Sequence, residues 1–115
     1  MPSLDDAGAH VPWRVRENTQ WTKVINISRA GVPVNITGDT FDAKVVNSET
    51  DLVTVLDLVP TITNAVNGEV TINRSDAQTG PVLPGTYWWY WDWNETVGFT
   101  IPLMSGPFIV DPWVP

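Results

Sequence analysis

The sequence predicts an all-β chain folded as a single antiparallel β-sandwich of about seven short strands. Two observations carry this. Stretches rich in β-branched and aromatic residues alternate with period two, and Gly, Pro, Asn and Asp punctuate them roughly every 8–12 residues. A third excludes the alternatives: only one short stretch has the caps of a helical turn, so neither a bundle nor a βαβ array fits.

The segments follow in order. Residues 1–20 read as an extended N-terminal arm, residues 21–111 as the sandwich domain and residues 112–115 as a C-terminal tail. Residues 1–12 carry Pro2, Asp5, Asp6, Gly8 and Pro12 and little to bury. "WTKVINIS", residues 21–28, is β-branched and reads as a strand. "RAGVP" turns the chain at Gly31 and Pro33. In "TFDAKVVN" Phe41, Ala43 and Val45 alternate with Asp42 and Lys44, the pattern of a half-buried strand. "LVTVLDLV" is a further strand with Leu52, Leu56 and Leu58 on one face and Val53, Val55 and Val59 on the other. Asn67-Gly68 signals a hairpin leading to Val70 and Ile72 on one face. Ser75 or Asp76 caps a single helical turn that Gly80-Pro81 stops. After the aromatic stretch and the turn "ETVG", "FTIPLMSG" and "PFIVDP" form two strands or one bent strand, with Pro102 at an edge or a bulge.

Composition narrows the function. At 115 residues the chain fits one domain with one core. It has no Cys, which removes disulfides, thiolate metal sites and cysteine nucleophiles. The net charge is −7 with only six Lys and Arg, none clustered, so neither nucleic acid nor an anionic membrane surface is an expected partner. No apolar run approaches the ~20 residues of a membrane span. "MPSLDDAGAH" has no basic-then-apolar signal pattern.

Several motifs resemble small phage structural proteins, including the N-terminal domain of the upper baseplate protein of lactococcal phages. "GVPVNITGDTFDAKV" is similar to a Gly-x-Pro-Val…Thr-Gly…Phe-x-Ala-x-Val stretch of that family. "NGEVTINRSDAQTGPVLPGTYWW" and "LMSGPFIVDPWV" match its later segments. The resemblance spans roughly residues 21–114 and rests on the joint spacing of Gly31, Pro33, Gly38, Gly68, Gly85, Tyr87 and Gly106. It implies an immunoglobulin-like sandwich and a role in virion assembly, joining a tail, baseplate or fibre component to its neighbour. The receptor-binding region that follows this domain in longer relatives is not carried over.

"GTYWWYWDWNE", residues 85–95, holds six aromatic residues in eleven. Strand alternation puts Tyr87, Trp89, Trp91 and Trp93 on one face and Trp88, Tyr90 and Asp92 on the other. The first set, with Trp21 and Phe41, is expected to form the core, since each large side chain contributes about 1.5–3 kcal/mol on burial. Trp88 and Tyr90 then point outward as a protein interface; a sugar platform and cover by the chain's own termini are the alternatives. Trp13 and Trp113, in the terminal segments, complete the expected interface set, packing on their own subunit or docking into a neighbour.

Catalytic chemistry has little support. His10 is the only histidine, and beside Asp5 or Asp6 it reads as a solvated terminal residue. Asp39 with Asp42, and Glu49 with Asp51, read as turn acids; no Asp-x-Asp-x-Asp-Gly calcium loop occurs. The Asn-x-Ser/Thr triplets at Asn26, Asn35, Asn73 and Asn94 read as strand and turn composition. The expected function is a non-enzymatic phage virion protein without cofactors, present in several copies, contacting other virion proteins in the particle assembled in the host cytoplasm. Capsid decoration and a carbohydrate-binding module are the alternatives, with a small hydrolase as a distant third.

Overall fold

Two long strands, β10 (Gly85–Asn94) and β11 (Thr100–Asp111), form the spine of the computed structural model, which describes residues 9–112. They pair antiparallel from Gly85↔Val110 to Asn94↔Thr100. The other described elements are β1 (Ala9–His10), β2 (Trp13–Arg16), β3 (Trp21–Asn26), β4 (Ser28–Arg29), β5 (Val32–Pro33), β6 (Thr40–Val46), β7 (Thr54–Asp57), β8 (Thr61–Asn64), β9 (Glu69–Arg74) and α1 (Asp76–Thr79).

The larger sheet has the order β1-β11-β10-β6-β7, with β2 also on β11, and the smaller the order β3-β9-β8. A small β4–β5 hairpin forms a separate two-stranded sheet. Trp21, Ile25, Val70 and Ile72 from the small sheet meet Ala43, Val45, Trp89, Trp91, Phe108 and Val110 from the large one in a single buried core. The fold is thus the expected all-β sandwich, cut more finely than seven strands: eleven are defined among the described residues, three of them only two residues long.

Two expectations need correction. Residues 9–16 are not a free arm: β1 and β2 run parallel to β11, at Ala9↔Met104 and at Phe108↔Trp13 through Asp111↔Arg16, so the large sheet is mixed. The reason is burial. Val11, Trp13 and Val15 place apolar surface on the core, and Val11 donates its N–H to the Ser105 carbonyl at 2.8 Å. The strand read over residues 52–59 is shorter, since Leu52 and Val53 are exposed and Val59 has φ +47, which ends the extended backbone after Leu58.

Local chemistry accounts for the rest. Ser75 accepts from the N–H of Gln78 while the Gln78 side chain accepts from the N–H of Ser75, a complete capping box on α1. Pro102 sits at a β-bulge: Trp91 pairs with Met104 but Asp92 with Pro102, leaving Leu103 as the extra residue. Residues 100–103 also have no strand on their other side among the described residues, so the missing Pro N–H orphans no ladder bond. Gly68, at φ +70, lies so close to the Ile27 carbonyl that a Cβ would come within 2.5 Å of it.

Candidate functional site

The large sheet's two faces divide the aromatic strand. On the inner face Trp89, Trp91 and Trp93 are buried and Tyr87 is half-buried. Trp21 is buried on β3, and Phe41 is half-buried and stacked on Trp93 at 6.4 Å. Four of these side chains have specific polar partners, among them Trp21, whose Nε1 donates to the Arg16 carbonyl at 3.0 Å. Trp89 Nε1 donates to the Val11 carbonyl at 2.7 Å, Trp93 Nε1 to Asp39 Oδ2 at 2.8 Å, and Tyr87 Oη to the Leu83 carbonyl at 2.7 Å. Trp91 Nε1 is buried without a partner.

Trp13 lies on this inner face too, edge-on to Trp89 at 5.1 Å and to Phe108 at 5.2 Å. Trp13, expected in the interface set, is therefore a core residue and not part of the outer face. Trp113 falls outside the described residues. Lys23 was not singled out from the sequence. It shares a face of β3 with Trp21 and Ile25, and its Nζ stands 5.3 Å from the Trp13 ring and 5.8 Å from that of Trp89. Burial lowers its pKa from the usual lysine value. The period-two rule applied to "WTKVI" would have flagged it as a cation aimed inward.

On the outer face Trp88 sits opposite Val46 on β6 and Pro107 on β11. Val46 is fully buried although it stands outside the core cluster, so Trp88 rests on an apolar base. The exposed His10 ring lies 6.1 Å from the indole, so the only histidine flanks this face. Two positions on, Tyr90 is opposite Lys44 and Ser105; two further, Asp92 faces Asp42. Trp88, Tyr90 and Asp92 are each half-buried. Burial first, then the charge of Asp42, raises the Asp92 pKa. Tyr90 is raised by burial and then by Asp42, Asp92 and Asp57. The face thus joins an aromatic ridge to an acidic end, with Lys44 Nζ 4.0 Å from Asp42.

The other acids take local roles. Asp39 ties two loops, accepting from the Thr96 N–H at 3.0 Å as well as from Trp93. Asp51 closes its own turn, its N–H donating to Ser48 Oγ at 3.0 Å. Among the described residues no three His, Cys, Asp or Glu side chains converge as metal ligands.

The sheet order defines the class. β7-β6-β10-β11 against β3-β9-β8, with the first strand parallel to the last, is the arrangement of an immunoglobulin-like sandwich. Tyr87, near the start of β10 and bonded back to Leu83, is the tyrosine corner of such domains. Trp89, two residues later, fills the place where those domains carry a half-cystine.

Among solved structures, the N-terminal domain of phage TP901-1 ORF48 shares this fold nearly end to end. The TM-score is 0.55 at 17% identity, covering 96% of this chain and 93% of that one. A Bacteroides vulgatus ATCC 8482 protein ascribed glycoside hydrolase activity matches with TM-score 0.52 at 12% identity, over 89% of this chain but only 17% of its own. Both likenesses are of fold. No family model matches the sequence, and no curated protein is significantly similar to it.

Proposed function

We propose that the chain is a non-enzymatic phage virion structural protein, a docking module of the tail, baseplate or fibre attachment region. The observation that carries this reading is the fold shared with a phage domain over almost the full length of both chains. The outer face supplies the means. Trp88 and Tyr90 are aromatic anchors on a rigid central strand, of the kind that dominates binding energy at protein interfaces. Their base of Val46 and Pro107 is preformed, so little ordering cost attends docking.

Mass spectrometry of purified particles tests the location: the chain is expected among the structural proteins, in several copies. Trp88→Ala is expected to leave the fold intact and weaken incorporation. A sugar-binding reading draws on the same aromatic pair. The isolated protein is expected to show no saturable binding to bacterial surface polysaccharides. Binding that vanished in Trp88→Ala would replace the docking reading with the sugar-binding one.

A further inference from the structure

We propose a second docking surface at one end of the sandwich, formed by residues 27–39, the β8–β9 turn and the β10–β11 turn, which receives a protein partner with apolar hollows and a basic rim. Pairing fixes these three segments at the same end: Asn94 lies opposite Thr40 and Thr100 in the large sheet, and Asn26 opposite Glu69 in the small one. Each segment ends in an apolar knob. Val32 is 64% exposed, Val66 66%, Val97 70% and Phe99 69%. Nothing in the described fold buries them, and large apolar side chains gathered at one end mark an interaction site.

The knobs stand on fixed stems. Asp39 joins the first segment to the β10–β11 turn through Trp93 Nε1 and the Thr96 N–H. Ile36 donates its N–H to the Ala65 carbonyl at 2.9 Å, and Ile27 to that of Gly68 at 2.9 Å, which joins the first segment to the β8–β9 turn. The β10–β11 turn is closed by Glu95 N–H to the Phe99 carbonyl at 2.8 Å. A partner therefore meets prepositioned apolar tips.

The surrounding charges select the partner. Asp39 and Glu95 line a cleft of about 240 Å³ between two of the loops, with Arg29 as its one cation. Glu69 begins β9 beside the third. This acidic rim disfavours an anionic lipid surface and favours a basic protein rim. Trp93 lines the cleft but is only 2% exposed, so the cleft itself presents no open aromatic face to a sugar ring. Trp88 lies six residues from Asn94 along β10, about 20 Å away, so the two surfaces can engage different neighbours.

The partner's place in the same particle rests on the proposed function; the surface itself does not involve Trp88. The test uses particles carrying the full chain with a photo-reactive benzoylphenylalanine at position 97 and, separately, at position 88. Position 97 is expected to cross-link to a protein other than this chain. A cross-link at 88 with none at 97, or one from 97 to a second copy, overturns the second surface and leaves the proposed function standing. Absence of the chain from particles overturns both. Combined Val97→Asp and Phe99→Asp is expected to keep the melting temperature and lower incorporation about tenfold, roughly the loss of one interface anchor. Full incorporation of that variant overturns the surface. So does binding of the chain to phosphatidylcholine–phosphatidylglycerol vesicles that the double variant loses.

Discussion

Asp39 accepts hydrogen bonds on both carboxylate oxygens, from the Trp93 indole at 2.8 Å and from the Thr96 backbone N–H at 3.0 Å. One side chain thereby fixes the last core tryptophan and the β10–β11 turn. Asp39→Ala leaves a buried indole N–H without a partner. A loss of about 1.5–3 kcal/mol is expected, the scale of hydrogen bonds to charged groups. Denaturant unfolding measures it, and faster amide exchange at residues 95–99 is expected alongside. A wild-type denaturation midpoint would show that the bond contributes nothing.

The indoles of Trp89 and Trp91 differ in one respect. Trp89 Nε1 has the Val11 carbonyl, and Trp91 Nε1 has nothing. Truncating either ring to Ala is expected to cost about 3–5 kcal/mol. Substitution by Phe separates them: Trp89→Phe strands a carbonyl, whereas Trp91→Phe removes an unsatisfied donor. Trp91→Phe is expected to be the milder by about 1 kcal/mol. The reverse order in thermal unfolding would contradict the assigned partners.

Deletion of residues 1–12 removes β1 and the Val11 carbonyl together. The truncated chain exposes Trp89 Nε1 and part of the inner face. A drop in stability of about 0.5–1.5 kcal/mol is expected from the lost hydrogen bond alone, since the freed donor meets water. Differential scanning calorimetry of the truncated and full chains decides it, and equal melting temperatures would mean that β1 is idle.

Asp92 and Asp42 face each other directly across β10 and β6. The Asp92 pKa is raised in the folded state, by burial and then by Asp42. The folded protein therefore holds the proton more tightly than the unfolded chain. Stability from this group falls as pH rises from the ordinary carboxylate range through the raised value. Asp92→Asn is expected to stabilise at pH 7 by about 0.2–1 kcal/mol, the scale of a cross-strand pair. The gain should shrink towards pH 3, where the acid is already neutral. A gain independent of pH would point to packing instead.

Periodicity made the aromatic strand readable. Tyr87, Trp89, Trp91 and Trp93 could be assigned to one face because β10 is long, regular and central. The helical turn was legible for a similar reason: Ser75 and Gln78 stand three apart, and their bonds are local. The pairing of residues 9–16 was not legible. Parallel strands leave no turn signal between them, and Trp13 finds Phe108 across most of the chain. Tyr87 looked like an ordinary core residue because its partner, Leu83, is a backbone carbonyl that any residue supplies. The loop-end knobs were hidden for two reasons: Val66 and Val97 are apolar residues in turns where no alternation applies, and Phe99 reads as the first residue of a strand that in fact begins at Thr100.

The parallel seam of β2 on β11 has a kinetic meaning. Its first pair, Phe108 and Trp13, is separated by almost the whole described chain, so the seam closes a very long loop. A growing polypeptide cannot form it until β11 has emerged from the ribosome. Until then Trp13 has no Phe108 to meet, and the Val11–Pro12 stretch has no Gly106 to lie against. Folding should therefore finish in one late step, slow for the domain's size because its contacts are so distant in sequence. A chain cut short before β11 keeps its aromatic strand unpaired along one edge and exposed to aggregation and proteolysis. The strand register thus makes closure of the large sheet conditional on β11, the last strand to be synthesised.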